Sequence, residues 1–264
     1  MRRGCIIGGV LLLLTGLTSF PAGAATFASP AFQTQWVAGE AITTNFWGPL
    51  TTSDGGRREY YKDAPAGQRL VQYFDKGRME LTNPGGGIVT NGLLATELIT
   101  GQLQVGDGTF QSRAAAAIPI AGDADNAGPT YAALGTVAAT LLNATPVQTG
   151  NMVTISVAVN GTVTPGSATA GSGPTALTVY DSVTQHNVPQ AFATYRDKVG
   201  LLMIGYAKSE PFLTTVKVAG QQKQVMVQVF ERRVLTYTAD NPDAFKVEMG
   251  NIGQHYDQWR YGAP

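Results

Sequence analysis

Cysteine is all but missing from this chain. The single cysteine among 264 residues is Cys5, near the N-terminus and at the front of an apolar run. Once that run is removed, as argued below, no disulfide, thiol nucleophile or thiolate metal site is available. Histidine is nearly as scarce, with only His186 and His255, and a zinc site needs roughly three or four ligands. Charged residues make up 14% of the chain, eighteen basic against eighteen acidic, with no basic run. Nucleic acid and anionic membrane surfaces are therefore poor partners. Beyond the N-terminal segment no apolar stretch is long enough to span a bilayer. What the chain does have is glycine, 32 residues of it, alongside many Thr, Gln and Val. That is the composition of a β-rich protein with abundant turns.

Met1-Arg2-Arg3, an apolar run from Ile6 to Phe20 and the small residues Ala22-Gly23-Ala24 have the order of a secretory signal peptide, with cleavage expected after Ala24. Cys5 precedes the apolar run, where a lipoprotein cysteine would follow it. The expected address is secreted or envelope-associated. Losing Arg2 and Arg3 leaves a net charge of 16 − 18 = −2.

The chain also says something twice. Val71-Gln72-Tyr73-Phe74-Asp75-Lys76-Gly77-Arg78-Met79-Glu80-Leu81-Thr82 returns as Val227-Gln228-Val229-Phe230-Glu231-Arg232-Arg233-Val234-Leu235-Thr236-Tyr237-Thr238, at an offset of 230 − 74 = 156. Upstream, Gly48 matches Gly205 at 157, and downstream Gly92 matches Gly250 at 158. Small loop insertions produce such drift, and an internal repeat sets architecture. Alternation on both sides of Asp75-Lys76-Gly77 predicts a hairpin with Gly77 in the left-handed position. A single bent strand is the competing reading. In the second copy Arg233 stands at the Gly77 position, so that turn is either strained or differently built.

Between the copies, 101–128 reads as an irregular arm. Pro129 to Leu142 reads as a helix with an apolar stripe. Val153 to Val159 reads as a strand leading to an Asn160-Gly161 hairpin. Ala176 to Tyr180 reads as a further strand and Pro189 to Lys198 as a short helix. The expected fold class is α+β and β-rich, with two related β-hairpin repeat lobes and a central helix–hairpin–strand–helix insert. Residues 25–128 are the first lobe with its arm and loop, 129–198 the insert, and 199–264 the second lobe. Isolated hairpins are marginal in water, so the insert is expected to supply a wall of the core.

The pattern of Gly48-Pro49, Gln-x-Phe with an acidic–basic turn, and Val-x-x-Gly at 89–92 resembles the LGFP-type repeat of bacterial wall-associated and exported proteins. The stretches at 72–81, 230–238 and 250–256 are similar to an uncharacterised family of bacterial exported proteins. These resemblances imply an accessory role at the envelope and carry no activity with them.

Chemistry-bearing candidates are few. Asp181, Ser182 and His186 could suggest a hydrolase triad, but no nucleophile elbow accompanies them. Glu40, Glu97 and Glu231 are candidates for a glycosidase pair. Asp123-Ala124-Asp125-Asn126 could hold calcium but fails the EF-hand pattern. No catalytic, metal or cofactor residue is assigned. The better lead is the aromatic end segment, where Tyr256, Trp259, Arg260 and Tyr261 are expected to form a partner or glycan surface. The functional expectation is a non-catalytic binding or accessory module facing cell-wall glycan or an envelope protein. The alternatives are a hydrolase of wall or extracellular polymer and a structural matrix component.

Overall fold

The computed structural model describes residues 26–51, 55–83 and 85–262; the signal-peptide expectation falls outside them. In chain order the elements are α1 (Pro30–Ile42), β1 (Arg57–Tyr60), β2 (Gln68–Phe74), β3 (Gly77–Leu81), α2 (Leu94–Thr100), β4 (Gln102–Gly106), β5 (Thr109–Ser112) and α3 (Tyr131–Gly135). Then come β6 (Ser156–Val157), β7 (Val163–Thr164), β8 (Leu177–Asp181), β9 (His186–Pro189), α4 (Gln190–Val199), α5 (Leu201–Ile204), β10 (Phe212–Val218), β11 (Gln221–Val229), β12 (Val234–Tyr237), β13 (Val247–Met249) and α6 (Ile252–Tyr261). The protein is α+β. A three-stranded sheet runs β1-β2-β3, a six-stranded mixed sheet runs β13-β12-β11-β10-β6-β7, and β4-β5 and β8-β9 form separate hairpins.

The two similar segments form antiparallel meanders of identical register. In the first, Tyr73 pairs with Arg78, Val71 with Glu80 and Glu59 with Arg69. In the second, Val229 pairs with Val234, Val227 with Thr236 and Thr214 with Val225. The flanking chain matches as well. The Asp75 amide donates to the Pro49 carbonyl at 2.9 Å, and the Glu231 amide to the Tyr206 carbonyl at 3.0 Å. Gly48 and Gly205 both have positive φ, and a Cβ on either would lie 2.8 Å from the Cβ of Asp75 or Glu231. Only glycine suits both demands.

Helices cross between the halves. The Gly253 amide of α6 donates to the Asp75 carbonyl at the first turn, and the Ala95 amide of α2 donates to the Glu231 carbonyl at the second. Each helix therefore seats the turn of the other half. The central strands are buried on both faces, which divides the apolar interior in two. One core gathers Val71 and Tyr73 with Val227, Val229, Ile252 and Tyr256; the other gathers Phe74 and Met79 with Phe192, Met226, Phe230 and Leu235. The intervening segment contributes to both, through Tyr131, Leu134 and Val157 to the first and Leu177 and Val188 to the second.

Several expectations change. The hairpin reading holds over the bent strand, but neither Gly77 nor Arg233 has positive φ. Gly77 is needed for space: a Cβ there would lie 2.5 Å from the Arg233 guanidinium. The arm at 101–128 contains the β4–β5 hairpin. The helix expected over 129–142 ends at Gly135, which packs its Cα against the Ile99 carbonyl, and a 3₁₀ turn over Ala139–Leu142 follows. The strand expected over 153–159 is limited to Ser156–Val157.

Candidate functional site

The aromatic end segment is helix α6, and helical geometry turns its residues in different directions. Ile252 and Tyr256 have no exposure, and Trp259 packs partly buried against the same core. This 4,3 spacing is one helix face. The Tyr256 hydroxyl donates to Glu97 Oε2, and Trp259 Nε1 donates to the Ala114 carbonyl at 2.8 Å. Arg260 turns inward to Glu59 at 3.1 Å. Tyr256 and Arg260 are therefore interior residues and correct the expectation of a four-residue surface. Tyr261 is 48% exposed, yet its hydroxyl donates to Glu59 at 2.6 Å.

Glu59 is the centre of a buried ionic cluster in the first meander. Arg69 approaches it at 3.5 Å, Arg78 at 3.5 Å and Arg260 at 3.1 Å, and the Tyr73 hydroxyl donates to it. Glu80 pairs with Arg69 at 3.3 Å and also with Arg78. Burial pushes the Glu59 carboxyl up, but Arg78, Arg260 and Arg69 outweigh it and hold the pKa at about 2. Burial is also the first influence on Arg69, and with the neighbouring Arg78 it lowers that guanidinium. Every charge here is turned toward another charge, so the cluster is a plug and not an open site.

The other candidates are likewise engaged. Asp181 Oδ2 accepts from Arg196 at 2.6 Å and from the Ala207 amide at 2.8 Å. His186 Nδ1 lies 3.3 Å from Glu210 Oε1, while Ser182 is an exposed turn residue. Glu40 accepts from the Asn45 and Trp47 amides, Glu97 from the Gln104 amide, and Glu231 from the Tyr206 amide. Asp123 accepts from the Ala219 and Gly220 amides, and Asp125 pairs with Lys217. That acidic loop thus clasps the β10–β11 turn. Among the described residues no group of three or more His, Cys, Asp and Glu could hold a metal ion.

An open cleft of about 360 Å³ lies over the matching face of the second meander. Val216, Val225 and Thr236 floor it, and Lys76, Glu248 and His255 stand around it. Lys76 Nζ donates to the Met249 carbonyl at 3.1 Å, and Glu248 accepts from Asn241 at 3.4 Å, so each keeps capacity toward the cleft. His255 Nδ1 lies 3.0 Å from the Tyr131 hydroxyl, and burial lowers its pKa to about 4, keeping the ring neutral near pH 7. The three floor positions correspond in the first half to Tyr61, Arg69 and Glu80. There, Arg69 stacks 4.5 Å from the Tyr61 ring centre and pairs with Glu80, filling the equivalent space. Sequence reading missed this cleft because its floor residues are ordinary strand residues. The signal was available in the alignment of the two similar segments, where large polar residues give way to Val and Thr.

A second concavity of about 530 Å³ lies between residues 88–91 and 199–203. Comparison with protein-family models, curated proteins and solved structures gives no match for this chain.

Proposed function

We propose that this protein is an exported binding or accessory module of the bacterial envelope. In this reading it is built from two copies of one β-hairpin unit around a central insert, and its ligand sits in the cleft over the second copy. The observation that carries the reading is the contrast at matched positions. Where the first unit is closed by Tyr61, Arg69 and Glu80, the second has Val216, Val225 and Thr236 and is open. An open concave site with an apolar floor and a few polar groups at its rim is the usual form of a small-ligand site. The cation Lys76 and the anion Glu248 on that rim suit a wall fragment carrying both hydroxyl and charged groups. The engagement of Asp181 by Arg196 and of His186 by Glu210 favours binding over hydrolysis.

The test is retention of the purified protein on isolated cell wall, with competition by soluble wall glycans and glycopeptides. Val218→Trp, at a half-buried position lining the cleft, would fill it from its edge. Retention of wild type, loss of retention by Val218→Trp and a nearly unchanged melting temperature are expected. Equal retention of the two proteins would remove the cleft from the reading.

A further inference from the structure

The concavity between residues 88–91 and 199–203 differs in kind from the cleft. Ile88, Val89, Val199, Leu201, Leu202 and Met203 line most of it. Two of these side chains lie almost wholly in water, Ile88 at 84% and Leu202 at 81% exposure. Apolar side chains held out at one rim lose roughly 25 cal/mol for each Å² left uncovered, and such clustering marks a surface that something covers.

The polar end of this groove is cationic. Arg232 lines it, paired with Glu231 at 3.2 Å. Asn91 also lines it, and Asn91 Oδ1 accepts from Arg233 Nη2 at 3.2 Å. Arg233 has no exposure and, among the described residues, no ion pair. Its other hydrogen bond is to the Arg232 carbonyl at 3.0 Å, its guanidinium lies against Gly77 and 5.5 Å from the Trp47 ring centre, and its Nε has no partner. A buried cation without a counter-charge is costly. It projects positive potential through Asn91 toward the groove, where the low-dielectric surroundings screen it little.

From the apolar lining, the uncovered rim and the unpaired guanidinium behind Asn91, we infer that this groove binds a free single-chain amphiphile with a carboxylate head. The alkyl chain lies along Val89, Val199, Leu201 and Leu202, and the head sits at the Asn91 and Arg232 end. About 530 Å³ is within the range of small-molecule sites. The site is separate from the cleft over β10–β13, and neither needs the other.

The experiment is titration of the purified protein with 11-(dansylamino)undecanoate below its micellar concentration, followed by displacement with dodecanoate, dodecanol and dodecyltrimethylammonium. Saturable binding is expected, with dodecanoate displacing the probe at concentrations about tenfold or more below those of the other two. Leu202→Asp, at an exposed position, is expected to weaken dodecanoate by about tenfold or more at unchanged melting temperature. Asn91→Asp would give Arg233 a counter-charge and bring dodecanoate and dodecanol toward equal potency. If Asn91→Asp fails to fold, Arg232→Gln serves as the head-group variant, with the same expected loss of selectivity. Absence of saturable binding, binding that Leu202→Asp leaves unchanged, or equal displacement by all three compounds would overturn the inference. So would sedimentation with phosphatidylglycerol vesicles, or self-association abolished by Leu202→Asp, if the probe itself does not bind.

Discussion

The two meanders share one backbone plan and have different interiors. Glu59, Arg69, Tyr73, Arg78 and Glu80 of the first stand at the register positions of Thr214, Val225, Val229, Val234 and Thr236 in the second. The first interior is held by charges that satisfy one another; the second is held by β-branched side chains. The pair teaches that this strand arrangement does not require the ionic cluster. A buried ion pair replaced as a whole by apolar groups is often neutral in stability, whereas losing one partner leaves a stranded charge. The cluster costs little while complete and is intolerant of partial loss.

The largest expected effect follows from that asymmetry. Arg78→Met leaves Glu59 and Glu80 short of a partner and is expected to cost about 3–5 kcal/mol in denaturant unfolding. Val234→Met, the matched change in the second meander, strands no charge and is expected to cost less, about 1–3 kcal/mol from overpacking. The combined variant Glu59→Thr, Arg69→Val, Arg78→Val, Glu80→Thr, Glu97→Gln and Arg260→Leu removes the cluster as a whole, including Glu97, the third buried carboxylate beside Arg69 and Arg78. It is expected to lie closer to wild type than Arg78→Met alone. A combined variant less stable than the single one would break the equivalence.

Acid separates the halves by pH window. Glu59 has a folded pKa of about 2 against an ordinary 4.5. Its contribution is complete above about 4.5 and disappears as pH falls through about 2, a loss on the order of 3 kcal/mol. His255, beside the second meander, has a folded pKa of about 4 against 6.5. The unfolded chain binds that proton first, so this contribution declines from about 6.5 down to about 4. Melting temperature against pH should therefore fall in two stages. The combined variant should keep the upper stage and lose the Glu59 part of the lower one. Persistence of the full lower stage would assign it to other carboxylates.

The smallest effect tests the contact between the turns. Gly77→Ala places a methyl group against the Arg233 guanidinium and is expected to cost about 1–3 kcal/mol. In a double-mutant cycle with Arg233→Ser, a coupling energy above roughly 0.5 kcal/mol is expected. Strict additivity would mean that the clash is relieved elsewhere.

The hairpin registers were legible because alternation and matched residues act over a few positions, as at Tyr73–Arg78 and Val229–Val234. Helix α6 was legible in principle through the 4,3 spacing of Ile252, Tyr256 and Trp259, but the interspersed Gln, Asp and Arg drew the eye to an exposed surface. Helix α1 carried a start signal, Ser29 capping the Ala31 amide ahead of Pro30. Its weak apolar stripe hid it. Asp107-Gly108 was a hairpin signal between β4 and β5 that the surrounding Gly and Ala masked. Other features lay beyond any local reading. Gly77 is glycine because of Arg233, and Arg260 is interior because Glu59 waits for it, and such partners meet only in the folded chain.

The crossed helix contacts also govern the order of assembly. The carbonyl of Asp75 must wait for the amide of Gly253, about 180 residues later, and a ribosome adding ~5–20 residues per second needs on the order of 10–35 s to supply it. Through that interval the first half exists without the helix that closes it, so the N-terminal portion cannot reach its final packing as it emerges. Closure of the core around Tyr73 and Val229 awaits Ile252, Tyr256 and Trp259 of α6, whereas the core around Phe74 and Phe230 draws on nothing from that helix and can pack before it arrives.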